Sequence, residues 1–229
     1  MKLYIVATPI GNLEDITLRA LKILKEVDYI LCEDTRHSLK LLNHYQIRKP
    51  LISYHQHSQL NKVDYIIKLL KENKNLALIS DAGTPGISDP GNELIQKIFE
   101  KLPEVEVIAI PGPSVITALA SISGVNTNRF LFLGFLPIKK HRKQFLEKIV
   151  LSDLPVIFYE SPYKLLKTLK ETEKLMPEAK VIVAKELTKK FEKVYRGDIK
   201  ELIKEIENDG AKGEYAVLVQ KEKTKNLSE

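Results

Sequence analysis

The chain has 229 residues, 44% hydrophobic and 29% charged, with 36 Lys and Arg against 30 Asp and Glu for a formal charge of +6. That length can bury a sizeable core in one large or two small domains, and no apolar run approaches the roughly 18 residues of a membrane span. The N-terminus enters Lys2-Leu-Tyr-Ile-Val without a signal-peptide pattern, so a soluble cytoplasmic protein is expected, and the lone Cys32 excludes an intramolecular disulfide.

Leu3 to Ala7 reads as a first strand, followed by Thr8-Pro-Ile-Gly-Asn-Leu-Glu-Asp15, a turn-rich loop whose Asp15 is placed to cap a helix carrying Ala20, Leu21, Leu24 and Val27. A second strand, Tyr29 to Cys32, ends in Glu33-Asp34-Thr35-Arg36-His37. Within that apolar run Cys32 reads as a core residue. A helical stretch near Leu39 to Tyr45 leads to Leu51-Ile-Ser-Tyr-His-Gln-His-Ser58. There His55 and His57 share a side if the backbone is extended, but no neighbouring Cys or acid completes a metal set, so polar substrate contacts or a plain loop are preferred and no metal is expected. Val63, Ile66, Ile67 and Leu70 mark the next helix.

Residues 76 to 91 organise the chain: Leu-Ala-Leu-Ile-Ser is a buried strand feeding Asp-Ala-Gly-Thr-Pro-Gly-Ile-Ser-Asp-Pro-Gly. Gly83, Gly86 and Gly91 permit close backbone approach while Pro85 and Pro90 stiffen the loop, which suits a preformed pocket at a strand's carboxyl end. Asp89 and Pro90 read as N-cap and N1 of a helix whose apolar face is Ile95, Ile98, Phe99 and Leu102. Neither a Gly-x-x-x-x-Gly-Lys-Ser/Thr loop nor Gly-x-Gly-x-x-Gly is present, which argues against a P-loop and a standard dinucleotide site. A further strand, Val105 to Ile110, runs into Pro111-Gly-Pro-Ser114 and an apolar helix from Val115 to Ile122, so a second stiff loop joins the first.

Beyond about residue 124 the alternation loosens. Phe130 to Phe135, Pro155 to Tyr159, Val181 to Ala184, Glu192 to Arg196 and Tyr215 to Gln220 read as strands, and Lys139 to Val150 as a basic helix. Ser161 and Pro162 open a helix carrying Leu165, Leu166 and Leu169, and Asp198 with Glu201 makes a capping-box-like start to another. The expected organisation is α/β, with a mostly parallel sheet in an N-terminal domain (1–113), a mixed sheet in a C-terminal domain (114–221) and a polar tail (222–229). Lys139, Lys140, His141, Arg142 and Lys143 form one cationic patch, and Lys189, Lys190, Lys193 and Arg196 a second. Each is either a polyanion-binding surface or a solvated face.

Seven motifs in register now stand together: Ala-Thr-Pro-Ile-Gly-Asn-Leu-Glu-Asp, Cys-Glu-Asp-Thr-Arg-His, the Ser80 to Gly91 loop, Pro-Gly-Pro-Ser, Phe-Leu-Gly-Phe-Leu-Pro, Phe-Tyr-Glu-Ser-Pro and Glu-Leu-Thr-Lys. From Leu3 to about Gln220 the chain resembles the ribosomal RNA small subunit methyltransferase I family, of the tetrapyrrole-methylase-like fold. The resemblance implies an S-adenosylmethionine-dependent homodimer, with the cofactor in the interdomain cleft. It implies methylation of a cytidine ribose 2′-hydroxyl in the decoding region of small-subunit ribosomal RNA, as free RNA or in the assembled subunit. Family members often carry a small further C-terminal segment, so some RNA contacts of longer relatives are expected to be missing here.

Carried over motif by motif, the resemblance puts Ile10, Asp81, Ala82, Gly83, Thr84, Ile87, Ser114, Val115, Tyr159 and Leu187 around the cofactor. Asp81 would meet the ammonium of its methionine part. For the ribose proton, Glu33, Asp34 and Arg36 are read as substrate-positioning residues and Lys185 as the weaker candidate base, while His37, Lys140, Arg142 and Lys143 are read as RNA contacts. The same fold also serves a carbon methyltransferase of tetrapyrroles, against which the basic patch and Glu-Asp-Thr-Arg-His argue. A non-catalytic RNA-binding module would not need two rigid loops at strand ends.

Overall fold

In a computed structural model, residues 1–55, 60–137 and 140–221 are described. His57, Lys139 and the tail 222–229 lie outside them. The chain divides into two compact units, Met1–Ser114 and Val115–Glu229.

The first unit alternates strands and helices: β1 (Lys2–Val6), α1 (Leu18–Glu26), β2 (Tyr29–Cys32), α2 (Thr35–His44), β3 (Leu51–Ser53), α3 (Leu60–Lys71), β4 (Leu76–Leu78), α4 (Gly91–Lys101) and β5 (Glu106–Ile110). All five strands are parallel, in the order β3-β2-β4-β1-β5. Side-chain alternation splits the core in two. Leu3, Ile5, Leu31, Leu76 and Leu78 pack against Ile66 and Leu70 of α3 and Leu94 and Ile98 of α4. Val6, Ile30, Cys32, Ala77 and Ile79 pack against Ala20 and Leu24 of α1 and Leu41 and Leu42 of α2. Connections leaving β1 and β2 run one way along the sheet and those leaving β3 and β4 the other, so right-handed crossovers put α1 and α2 on one face and α3 and α4 on the other. Both neighbours of β4 send their chains to the face opposite its own, which makes the end of β4 the point where direction reverses and a ligand crevice opens.

Three local expectations are corrected. Thr17, not Asp15, caps α1, its hydroxyl accepting from the Ala20 N–H, because Leu13–Asp15 is a short 3₁₀ turn. The N-cap of α4 is Pro90, since the Asp89 carboxylate turns back onto the loop. Along α4 the buried positions are Leu94, Ile98 and Leu102 while Phe99 is exposed, a stripe shifted by one residue from that expected.

The second unit contains α5 (Val115–Ile122), β6 (Leu131–Phe135), α6 (Arg142–Leu151), β7 (Val156–Glu160), α7 (Pro162–Leu175), β8 (Lys180–Lys185), β9 (Lys193–Asp198), α8 (Ile199–Asp209) and β10 (Tyr215–Gln220). Its sheet order is β6-β7-β10-β8-β9, with β6 parallel to β7 and the other pairs antiparallel. One face is closed by Leu146 and Ile149 of α6, Leu165 and Leu169 of α7, and the Ile199, Leu202, Ile203, Ile206 stripe of α8. The Asp198 carboxylate caps α8 by accepting from the Lys200 N–H at 2.8 Å. Among the described residues no helix is long and apolar enough to cross a membrane.

Arg142 does not belong to a solvated patch. It is 8% exposed; its guanidinium donates to Glu171 at 2.7 and 3.0 Å and to the Thr168 hydroxyl at 2.8 Å, and lies 3.8 Å from the buried Glu160. A cation buried against two carboxylates is a structural group, so Arg142 is withdrawn as an RNA contact. The second patch is also largely committed. Lys189 bridges Glu186 and Glu214, Lys193 bridges Glu205 and Asp209, and Arg196 donates to the Ile122 carbonyl. Arg142→Leu should cost about 3–5 kcal/mol, because it strands the Glu160 carboxylate, whereas Lys143→Ala at an exposed i,i+4 pair should change stability by under about 0.5 kcal/mol. Urea unfolding of the two variants checks this.

Candidate active site

The loops leaving β1, β2, β4 and β5 emerge at one edge of the first sheet, and hydrogen bonds knit each to its neighbour. Thr8 and Gly83 exchange two backbone bonds, 2.9 and 3.1 Å, and the Thr8 hydroxyl donates to the Ser80 carbonyl at 3.1 Å. The Thr84 hydroxyl donates to the Pro113 carbonyl at 3.2 Å, and the Asp34 N–H donates to the Asp81 carboxylate at 3.4 Å. Within the β4 loop both Asp89 oxygens accept from the Gly86 N–H at 2.8 Å and one also accepts from the Gly91 N–H, closing the turn. The sequence offered Asp89 as a helix cap; only the folded loop shows it as an internal clamp.

Gly83 is the pivot. Its φ is +78°, and a Cβ there would sit 3.2 Å from Ile10 Cγ2, 3.5 Å from the Pro113 oxygen and 4.0 Å from Ser114 Cα, so Ile10, Gly83 and Ser114 converge from three loops. Asp81 and Thr84 are half-buried, while Ala82 and Ile87 face solvent. The sequence-based cofactor residues of this unit, Ile10, Asp81 to Thr84, Ile87 and Ser114, thus share one edge. Val115 is the first residue of α5, in the second unit.

This edge is rich in negative charge. Burial, then the nearby Asp89 and Asp81 carboxylates, raise the Glu33 pKa above its ordinary value, although Glu33 accepts from the Asp81 backbone. Asp34 is held well below the carboxylate range, chiefly by the side-chain and backbone bonds from Arg36, whose guanidinium grips it at 2.8 and 3.1 Å. Arg36 and His37 are exposed. The Arg36 charge is therefore matched by Asp34, leaving Glu33, Asp81 and Asp89 without an ion-pair partner among the described residues. Among the described residues no cluster of His, Cys, Asp or Glu has the makings of a metal site.

In the second unit, β6, β7 and β8 run the same way, so the loops that follow them share an edge. The Tyr159 ring lies edge-on to Phe132 and tilted to Phe135, with centroids 5.2 and 5.1 Å away, and burial pushes its phenol up to about 12. Leu187 is buried just past β8, between Glu186 at φ +49° and Thr188 at φ +66°. Lys185 ends β8 with its ammonium donating to the Gly210 carbonyl at 3.3 Å. Sequence reasoning passed over two hydroxyls here. Ser161 Oγ and Thr188 Oγ1, close in sequence to Tyr159 and Leu187, are buried without a hydrogen-bond partner among the described residues. Buried polar atoms of that kind call for a partner, and Ser161 had been legible only as a helix cap.

Gly83→Ala should destabilise the first unit by about 1–2 kcal/mol, from the left-handed φ and the tight Ile10 contact, as read by the thermal midpoint. Glu33→Gln should act in the opposite direction. A carboxyl with a raised folded pKa favours folding below its unfolded value and loses that contribution as pH rises through the folded one. The variant is therefore expected to unfold at a higher temperature than the parent at pH 7, the difference vanishing below about pH 4.

Comparison with known proteins follows the same lines. Residues 2–203 match the family of tetrapyrrole (corrin/porphyrin) methylases. A ribosomal RNA small subunit methyltransferase I of Thermotoga maritima is 43% identical over 218 residues, covering 95% of this chain and 97% of that protein. One of Hydrogenobaculum is 46% identical over 228 residues, covering 98% and 97%. Among solved structures, a cobalt precorrin-4 methyltransferase of cobalamin biosynthesis superposes with a TM-score of 0.68 at 19% identity, over 96% of this chain and 94% of that one, which bears on the fold alone. On the strength of a match spanning both units and of relatives this similar over nearly their whole length, the chain belongs to the tetrapyrrole methylase family, among the ribosomal RNA small subunit methyltransferase I proteins.

Proposed function

We propose that this protein transfers the methyl group of S-adenosylmethionine to small-subunit ribosomal RNA, at the ribose 2′-hydroxyl of a cytidine in the decoding region. The observation that carries the cofactor assignment is the uncompensated carboxylate group beside a glycine-stiffened, hydrogen-bonded loop edge. S-adenosylmethionine carries an ammonium and a sulfonium, and an edge where burial and then the Asp89 and Asp81 carboxylates raise the Glu33 pKa gains from a cation. Asp81 would face the ammonium, the loop backbone around Gly83 would take the carboxylate, and Ile10 and Ile87 would supply apolar contact. Tyr159, Leu187, Ser114 and Val115 are proposed as cofactor contacts residue by residue. The RNA substrate is proposed from the names of the relatives; the tetrapyrrole alternative has the family description and the fold in its favour, but not the names of the relatives at 43 and 46% identity.

Bound cofactor supplies an already activated methyl group. The protein's own task is to hold the ribose oxygen in line and to assist loss of its proton, because a hydroxyl is a weak nucleophile at neutral pH. Glu33, Asp34 and Arg36, with His37 beside them, are proposed to position the nucleotide. Lys140 and Lys143, both exposed, are proposed to meet phosphates, and Lys185 remains the candidate base. The protein is proposed to act in the cytoplasm as a homodimer, which sedimentation velocity tests.

Isothermal titration with S-adenosylmethionine tests the core of the reading: no heat of binding to the parent removes it. Asp81→Ala is expected to weaken binding at least tenfold while the protein stays folded. Small-subunit RNA incubated with protein and cofactor should yield 2′-O-methylcytidine on nucleoside analysis, and methylation at a base would overturn the ribose assignment. Lys185→Met should slow single-turnover methylation at saturating RNA and cofactor by about a hundredfold; a parental rate would leave alignment of the ribose as the catalytic device.

A further inference from the structure

The three exposed aromatic side chains of the second unit lie at one edge of its sheet. Tyr163, 96% exposed, opens α7 immediately after β7; Phe135, 62% exposed, ends β6; and Phe191, 72% exposed, is on the loop leaving β8. The register that aligns Glu160, Tyr215 and Lys185 across β7, β10 and β8 puts these loops on the same side. Aromatic rings are the side chains a fold ordinarily buries for their large apolar area, so three left in water together at one edge require a reason.

Phe191 is held out by construction. In its loop the Thr188 N–H donates to the Glu192 carboxylate, the Lys189 N–H to the Glu186 carbonyl at 2.9 Å, and the Glu192 N–H to the Lys189 carbonyl at 3.0 Å. The Lys189 ammonium is tied to Glu186 and Glu214. These bonds fix the base of the loop and leave Lys190 and Phe191 at its tip, the Lys190 ammonium 5.7 Å from the ring centroid and without an ion-pair partner among the described residues. Lys164 follows Tyr163 directly, and Lys140 lies where α6 begins, on the connection leaving β6; neither has an ion-pair partner among the described residues. Each of the three connections thus carries an exposed ring and a lysine.

We infer that this edge, through Phe191 and Tyr163, is a stacking platform for unpaired bases of the RNA substrate. A π-face accepts any base and unneutralised lysines meet the intervening phosphates, whereas a paired helix offers a side chain no free base face. From β6 to β8 is three strand spacings, about 15 Å, which suits a segment of a few nucleotides. The inference rests on the RNA reading above and narrows it to a single-stranded element of that RNA. Phe135 flanks the platform but packs on Tyr159, so it is unsuited to a clean test.

The test uses the intact protein and a short single-stranded RNA carrying 2-aminopurine, alongside the same sequence as a duplex. Phe191→Ala and Tyr163→Ala should each weaken single-strand binding about tenfold or more and diminish the fluorescence change that reports stacking. Phe191→Trp should retain both and Phe191→Leu should not. The salt dependence should remain parental in the aromatic variants and become shallower in Lys190→Gln. Titration of S-adenosylmethionine into Phe191→Ala should match the parent. Parental RNA affinity in the Phe191→Ala/Tyr163→Ala double variant overturns the inference, as does a shift in its sedimenting mass with RNA affinity intact, which would make the rings a protein-binding surface. Failure of the parent to bind cofactor overturns the functional reading instead, so the two failures are distinguishable.

Discussion

Two backbone hydrogen bonds between Thr8 and Gly83 hold the ligand edge of the first unit together. They join the loops of β1 and β4, adjacent strands whose chains then depart to opposite faces of the sheet. Without a tie, loops diverging in that way would splay. With it, Ile10, Pro113 and Ser114 are held within 4.0 Å of where a Cβ on Gly83 would sit, at a left-handed φ that other residues adopt only with strain. The remaining ties, from Thr84 to Pro113 and from Asp34 to Asp81, extend the same device to the loops of β5 and β2. Loops tied in this manner are ordered before any ligand arrives, which reduces the ordering cost of binding.

That rigidity supports an electrostatic arrangement unfavourable for folding alone. Glu33 is partly desolvated and set near Asp81 and Asp89, and its pKa is raised first by that burial and then by the two neighbouring carboxylates. Side chains chosen only for stability would have placed a lysine there. Arg36, the nearest cation in sequence, instead grips Asp34. The second unit shows the contrary balance at its loop edge, where Lys140, Lys164 and Lys190 stand among exposed aromatic rings. On the reading proposed above, the two edges would take ligands of opposite charge, a cationic cofactor and a polyanionic substrate.

Charge runs in the sequence proved unequal once folded. Of the five residues from Lys139 to Lys143, Arg142 turns inward to bind Glu171 and Thr168 beneath the loops, because it is the first residue of α6 and faces α7 rather than water. Of the second run, Lys189 and Lys193 are consumed by carboxylates brought close by β10 and α8. Lys190 alone of that run projects at a loop tip without a partner among the described residues. A linear count of cations therefore overstates the binding surface.

The sequence by itself determined the alternation of strands and helices, the parallel character of the first sheet, and the Gly/Pro loops at strand ends, because hydrophobic periodicity and the restricted φ of glycine and proline are local properties. It also determined the family, since seven motifs keep their order and spacing. Tertiary structure decided which loops touch, that Asp89 clamps its own loop at Gly86 as well as accepting from the first N–H of α4, and that Thr17 replaces Asp15 as the cap of α1. It decided that Arg142 is a core cation, and that Tyr163 and Phe191, 28 residues apart in the chain, share one sheet edge. Each of these depends on which strands are neighbours and which way a helix faces, and both are fixed by long-range pairing and burial that no local pattern encodes.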